Sequence, residues 1–225
     1  MRNLTIRLTL VALVFGLGII IPASSKAASS DFQAWLQVQP RSHLSESLSI
    51  LGLVQWRVGR GKSDQILTDV MLASTSGDIR MEGGISTLSK THPLFGALEW
   101  RPWLGLAGQL ALGSTDWYHR VRMEFRFLSL VPQASYRFRY LTGFLFTRAF
   151  SDESFAPFIE NEIFLTVNTI ASIASGFDQN RFRVGLRWNL ASGDALDFSY
   201  MNLLLGSGAS QVMVHVPLIW YVLDL

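Results

Sequence analysis

The sequence predicts an all-β protein, an antiparallel transmembrane β-barrel of ten to twelve strands. Three observations lead there. Segments of about ten residues alternate apolar and polar side chains, and a strand sorts such neighbours onto opposite faces. The apolar faces are rich in aromatic residues, as the interface girdles of a membrane barrel are. Lysine, abundant on most soluble surfaces, is nearly absent: beyond residue 27 only Lys62 and Lys90 remain. The 225 residues are 49% hydrophobic and 16% charged, well under the roughly 25% charge of ordinary soluble proteins and unlike a disordered chain.

The elements follow in order. Arg2 and Arg7 flank a basic start, Leu8 to Ile21 form an apolar stretch, and Pro22 ends it. Ser25-Lys26-Ala27 then sets small residues three and one positions before a cut after Ala27. This is the layout of a cleaved secretory signal peptide. The apolar stretch is shorter than the ~20 residues a membrane helix needs. Residues 1–27 hold three of the basic residues and no acid, so the formal +2 becomes −1 for residues 28–225. The sequence pI near 9.1 thus belongs to the leader, and a nucleic-acid partner is not expected.

Residues 28–225 form one barrel domain. Weak alternation runs through 32–39, 44–58, 65–74 and 79–87. In 99–112, Trp100, Leu104, Leu106, Leu110 and Leu112 oppose Glu99, Arg101 and Gln109. The clearest strand is 117–128, where Val121, Met123, Phe125 and Phe127 oppose Arg120, Arg122, Glu124 and Arg126. A helix would scatter those charges around its circumference. In 135–147, Tyr136, Phe138, Tyr140, Phe144 and Phe146 oppose Ser135, Arg137 and Arg139. Alternation is weaker over 158–168, which carries Glu160 and Glu162, and over 195–204. In 178–190, Phe182, Val184, Leu186, Trp188 and Leu190 oppose Gln179, Arg181, Arg183, Arg187 and Asn189. Val212, Val214, Val216, Leu218, Trp220 and Val222 form a last apolar stripe, expected like the others to face lipid.

Eleven such segments are visible. A single-chain bacterial barrel with both termini in the periplasm has an even number, so the expectation is ten or twelve. Short turns are read at Gly113-Ser114-Thr115-Asp116, Ala191-Ser192-Gly193-Asp194, Gly206-Ser207-Gly208 and Gly59-Arg60-Gly61. A soluble periplasmic β-sandwich that binds a ligand is the alternative architecture, its apolar faces forming a core instead of meeting lipid.

The candidate lumen-lining residues are Glu99, Arg101, Arg120, Arg122, Glu124, Arg126, Arg137, Arg139, Glu160, Glu162, Arg181, Arg183 and Arg187. Two roles fit such an arginine excess. It can select anions or bind a phosphate- or carboxylate-bearing ligand. Equally, it can form an Arg–Glu network that fills a narrow barrel and blocks flow, since buried charges must be paired and arginine's five donors serve several partners. Ten to twelve strands leave at most a narrow passage, which favours the network.

No catalytic, cofactor or metal site is expected. With no cysteine, thiolate zinc sites, disulfides and cysteine nucleophiles are excluded. The histidines, His43, His92, His119 and His215, are scattered and lack clustered carboxylates. His215 opposes the last apolar stripe and is expected to donate into the lumen. A membrane-embedded lipid hydrolase is the competing activity, and it needs a serine beside a histidine. His43-Leu44-Ser45 has suggestive spacing, but Pro40-Arg41-Ser42-His43 reads more simply as a turn. Gly61-Lys62-Ser63 imitates the end of a phosphate-binding loop, yet Trp56 stands where that loop needs glycine.

Several of these segments also resemble one family. Glu99-Trp100-Arg101-Pro102-Trp103, the Arg120-x-Arg122-x-Glu124-x-Arg126 strand, Arg137-Phe138-Arg139-Tyr140, Asn161-Glu162-Ile163-Phe164, Phe177-Asp178-Gln179-Asn180-Arg181, Tyr200-Met201-Asn202 and His215 are similar to the domain-of-unknown-function 2490 family. The resemblance covers most of residues 31–225 and is strongest from residue 97 onward. It implies a Gram-negative outer-membrane barrel and supplies no catalytic residues. The partners it implies are outer-membrane lipid and the barrel-assembly machinery. That machinery usually reads a terminal aromatic residue; here Tyr221, Leu223 and Leu225 carry the alternation to a terminal leucine. The expected role is structural, or a narrow passage for small solutes, anions among them.

Overall fold

Alternation becomes a meander of eleven strands among the described residues: β1 (Ser29–His43), β2 (Leu48–Gly59), β3 (Gln65–Ser76), β4 (Ile79–Lys90), β5 (Glu99–Leu112), β6 (Thr115–Leu128), β7 (Ser135–Leu145), β8 (Phe155–Thr166), β9 (Gly176–Asn189), β10 (Ala195–Ser207) and β11 (Ser210–Asp224). The structure, a computed structural model, describes residues 29–59, 64–90, 99–129, 131–150, 154–170, 173–207 and 210–225. The leader read at 1–27 lies outside these residues, as do Arg60 and Gly61 of the turn read at 59–61 and Gly208 of the turn read at 206–208.

Each strand pairs antiparallel with its sequence neighbours, and β1 closes on β11 to complete the barrel. The even-number rule therefore does not apply, and the eleven segments visible in the sequence are the eleven strands. An odd meander must close with one parallel pair, and β1 runs parallel to β11, from Ser29↔Val212 to Arg41↔Asp224. The start of β1 and the end of β11 consequently lie at opposite mouths.

Short turns set the hairpin registers at one mouth. Gly77 (φ 60) and Gly113 (φ 67) occupy the left-handed region at the first residue of the β3–β4 and β5–β6 turns, as two-residue hairpin loops require. The same mouth carries the β1–β2 turn, which is residues 44–47 and not 40–43 as the sequence suggested. Pro40 interrupts the β1–β2 ladder between Val38↔Val54 and Arg41↔Leu51 without ending the strand. A Cβ on Gly52 would stand 3.2 Å from the Pro40 ring, so the glycine accommodates that interruption.

The alternation puts apolar side chains outside and polar ones inside around most of the barrel. Val70, Leu104 and Leu106 are exposed outward, whereas Asp69, Arg101, Glu124 and Glu162 are buried inside. A lateral band of hydrocarbon thus surrounds a charged interior, the inverse of a soluble protein.

One sector departs from this. The stripe Val212 to Val222 on β11 faces inward, not outward. Val214, Val216 and Leu218 pack with Trp35, Met201 and Leu203 into a compact apolar core along β1, β10 and β11. Register decides this, because both faces of β11 are apolar: Met213, Ile219, Tyr221 and Leu223 occupy the opposite face. Pairing sets Leu203 against Val214 and Met201 against Val216, which turns the valines inward. His215 is turned outward by the same register, and its Nδ1 meets the Tyr200 hydroxyl on the outer surface.

Candidate functional site: the charged lumen

All thirteen lumen candidates lie on the inner face, and each arginine among them has a carboxylate partner. Glu124 on β6 is the centre of the cluster. It is fully buried (0% exposed) and meets three arginines. Arg137 donates from Nε at 2.8 Å and also from Nη2. Arg139 donates from Nη1, and Arg122 Nε lies 3.2 Å away. The β6–β7 pairing Glu124↔Arg137 and Arg122↔Arg139 places these groups side by side. A carboxylate's two oxygens offer about four lone-pair sites, so one Glu can serve three guanidinium groups.

Glu162 on β8 repeats the arrangement. Arg139 donates to it at 2.7 Å, Arg120 at 3.2 Å, and Arg181 approaches to 3.8 Å. Arg139 thereby bridges the two carboxylates across three strands. Glu160 accepts from the Tyr118 hydroxyl at 2.8 Å and lies 2.7 Å from Arg183. The Tyr118 ring reaches Glu160 only because Gly143 lies beneath it; a Cβ there would come within 2.5 Å of the ring and hydroxyl. Glu99 holds Arg101 at 2.7 Å and also receives Arg126 Nε. Arg187 forms a two-pronged pair with Asp197, at 2.8 and 2.9 Å, the geometry in which guanidinium and carboxylate bind best.

Several partners in this network escaped the sequence reading. Asp69 on β3 accepts from Arg122 at 3.2 Å and from the Trp103 indole at 3.0 Å, but it sits in a weakly alternating segment. Asp197 lies in another weak segment. Asp178 reaches Arg137 at 3.0 Å because a bulge interrupts β8–β9, with Phe164 opposite Gln179 but Leu165 opposite Phe177. The extra residue re-aims a side chain that strict alternation would send outward.

Aromatic rings inside the lumen occupy the spaces between guanidinium groups. Arg122 stacks 3.5 Å from the Trp103 ring centroid. Phe164, fully buried, has Arg139 at 4.4 Å and Arg181 at 4.5 Å from its centroid. Such cation–π contacts add favourable electrostatics where water is scarce. Trp35 receives Arg57 at 4.2 Å and Arg181 at 5.3 Å.

Between the charged sector and the apolar β10–β11–β1 core lies a cavity of about 150 Å³. Its lining includes Arg57, Arg101, Arg120, Arg122, Arg137, Arg139, Arg181 and Arg183 against Asp69, Glu124, Glu160 and Glu162. Eight arginines face four carboxylates, a formal excess of four positive charges. Gln37, Gln39 and Gln55 add neutral polar groups, with Gln55 Nε2 donating to Gln37 at 2.6 Å.

A separate polar cluster occupies the mouth with the β1–β2 turn. His43 Nδ1 lies 3.1 Å from the Ser49 hydroxyl, and its Nε2 lies 3.4 Å from Asp224. Closure of β1 against β11 brings Asp224 there, so the grouping is invisible in sequence. Ser45, the serine singled out by spacing, instead accepts from the Leu48 backbone N–H within the turn. At the same mouth, Asp194 accepts from the Asp224 backbone N–H, the Tyr221 hydroxyl and the Ser192 hydroxyl. These bonds hold its carboxyl below the usual aspartate range.

The model of a protein family of unknown function, DUF2490, matches residues 32–213. The chain belongs to this family. The matched region runs from β1 into β11, so the DUF2490 match takes in the whole charged network. No curated protein and no solved structure matches the chain.

Proposed function

We propose that this DUF2490 chain is an integral outer-membrane barrel of a Gram-negative cell, exported by its 1–27 leader. In this reading the outer face meets lipid, and the Arg–Glu network closes the lumen. The role is structural, not the passage of solutes. Lipid and the barrel-assembly machinery are its partners during insertion.

One observation carries the reading: outward-facing Leu36, Val54, Val70, Ile85, Leu104, Phe125, Ile163 and Ile219 form a hydrocarbon belt around an interior of buried ion pairs. Hydrocarbon exposed on every side demands an apolar solvent, and buried charges demand pairing. A soluble sandwich would need the reverse distribution. For the lumen, Arg139 ties Glu124 and Glu162 along the adjacent strands β6, β7 and β8. Arg122 on β6 reaches Asp69 on β3 and Arg181 on β9 lies over Trp35 on β1, contacts between non-adjacent strands that support a filled interior. Purified protein inserted into a planar bilayer is expected to pass no steady current, while showing heat-modifiable gel mobility in detergent. A steady anion-selective conductance would establish the passage reading instead.

A second reading, a lipid hydrolase, is favoured by the Ser49–His43–Asp224 grouping at one mouth. A serine hydrogen-bonded to a histidine, with a carboxylate at ion-pair distance from the ring's other nitrogen, supplies the elements of an activated nucleophile. Fluorophosphonate labelling lost in Ser49→Ala supports this reading, and an unlabelled native protein rules it out.

A further inference from the structure

The geometry points to an anion-binding site inside the barrel: the chamber lined by Arg57 and Arg181 takes one small multivalent oxyanion of the phosphate class. This deepens the closed-lumen reading above, on which it rests, by assigning a ligand to the chamber that the network leaves.

The argument begins with charge balance. Paired arginines in the network need no further counter-ion, because Glu124, Glu162, Glu160 and Glu99 satisfy them. Arg57 differs. Its Nε donates to Gln55 Oε1 at 2.6 Å, and its guanidinium lies over Trp35, but among the described residues it has no carboxylate within ion-pair distance. Arg181 has only Glu162, at 3.8 Å, and its Nε is buried without a hydrogen-bond partner among the described residues. Both guanidinium groups lie over the same indole, that of Trp35. A chamber whose lining holds more guanidinium groups than carboxylates, even with Glu99 and Asp178 pairing Arg101 and Arg137 from behind it, is costly unless something neutralises the remainder.

The chamber itself limits what that something is. At about 150 Å³ it holds the volume of about five waters. A tetrahedral oxyanion fits, whereas a nucleotide or an oligosaccharide does not. Monovalent chloride brings a single charge and, as a sphere, no pair of acceptor atoms matched to the planar guanidinium fork. Phosphate supplies both the charge and the acceptors. The Gln37 and Gln55 amides provide neutral polar groups beside it. On the β1–β2 turn side the chamber is lined by Gln39, Leu51 and Met71, side chains that need not break an ion pair for an ion to enter.

The charge balance also predicts how the empty protein behaves. If Arg57 awaits a ligand, neutralising it relieves repulsion, so Arg57→Gln without phosphate is at least as stable as the parent. If Arg57 merely braces the fold, the same variant is weaker with or without phosphate.

The test is equilibrium binding and thermal unfolding of the full protein, folded in detergent and titrated with inorganic phosphate, with chloride held constant. The native protein is expected to bind one phosphate saturably and to unfold at higher temperature as phosphate rises. Sulfate is expected to compete. Arg57→Gln and Arg57→Gln/Arg181→Gln are expected to lose about tenfold or more in affinity, since each removes a charge-assisted partner. Arg80→Gln, a residue paired with Glu82 away from the chamber lining, is expected to bind like the parent. The native arm decides by itself if a variant does not fold: no saturable one-to-one binding overturns the assignment. Equal binding by folded Arg57→Gln/Arg181→Gln also overturns it. Because binding is read in detergent without a voltage, a conducting lumen would sink the closed-lumen reading while leaving phosphate binding separately decided.

Discussion

Glu124→Gln is expected to destabilise the barrel by about 3–5 kcal/mol, the usual cost of breaking a buried ion pair from one side. The reason lies in the number of charges that one carboxylate serves. Glu124 is fully buried and meets Arg122, Arg137 and Arg139. A neutral amide keeps the shape but leaves those arginines short of one counter-charge in a low-dielectric interior. Urea titration of the heat-modifiable folded band measures the loss. Removing a paired cation restores balance, so Glu124→Gln/Arg137→Gln is expected to recover much of it. Arg137 is the suitable second site because its other partner, Asp178, is partly exposed and tolerates the loss. A Glu124→Gln variant within about 0.5 kcal/mol of the parent, the range of an ordinary surface change, would show that the network is not what holds the lumen together.

Leu104→Arg tests the outer face. Leu104 lies midway along β5, points outward and is 66% exposed. On a soluble barrel, arginine at such a position is harmless, within about 0.5 kcal/mol. On a membrane barrel it places a cation in hydrocarbon, at a cost of about 2–4 kcal/mol near the midplane. The measurement is the unfolding free energy of protein folded into lipid vesicles. Val70→Arg on β3, also outward and central, is expected to follow Leu104→Arg. A substitution near a mouth, such as Leu112→Arg at the end of β5, is expected to cost less, because the penalty falls toward the interface. A flat profile at the surface-change level would mean that the outer face does not sit in lipid.

Much of this fold was legible wherever one face of a strand carried charge and the other did not. The Arg120-to-Phe127 segment of β6 admits only one assignment of inside and outside, and the structure has that assignment. Strands β5, β7 and β9 were readable for the same reason, and with β6 they hold eleven of the thirteen lumen candidates; Glu160 and Glu162 lie on the weakly alternating β8. Legibility ended where both faces of a strand are apolar. On β11, Val214 and Ile219 are equally at home in a core or in lipid, so only the pairing to Met201 and Leu203 decides that the valines turn inward. Residue order also hides what depends on closure. Odd strand number makes β1 parallel to β11, and that seam, not any local spacing, brings Asp224 beside His43. Bulges are a third blind spot: Asp178 enters the lumen through an extra residue that no period of two reveals. Arg57 went unnoticed for a simpler reason, since its segment alternates weakly and its role emerges only from the carboxylate it lacks.

The chain contains no cysteine, so single cysteines placed along β6 report one position at a time. Spin labels at residues 120–127, in protein folded into lipid vesicles, measure the central claim most directly through collision with oxygen, which concentrates in lipid, and with a water-soluble nickel complex. The account predicts high oxygen and low nickel accessibility at 121, 123, 125 and 127, with both low at 120, 122, 124 and 126 inside the closed lumen. Nickel accessibility at the odd positions comparable to that of a labelled surface turn would contradict the membrane face. Free nickel access at the even positions would contradict the closed interior.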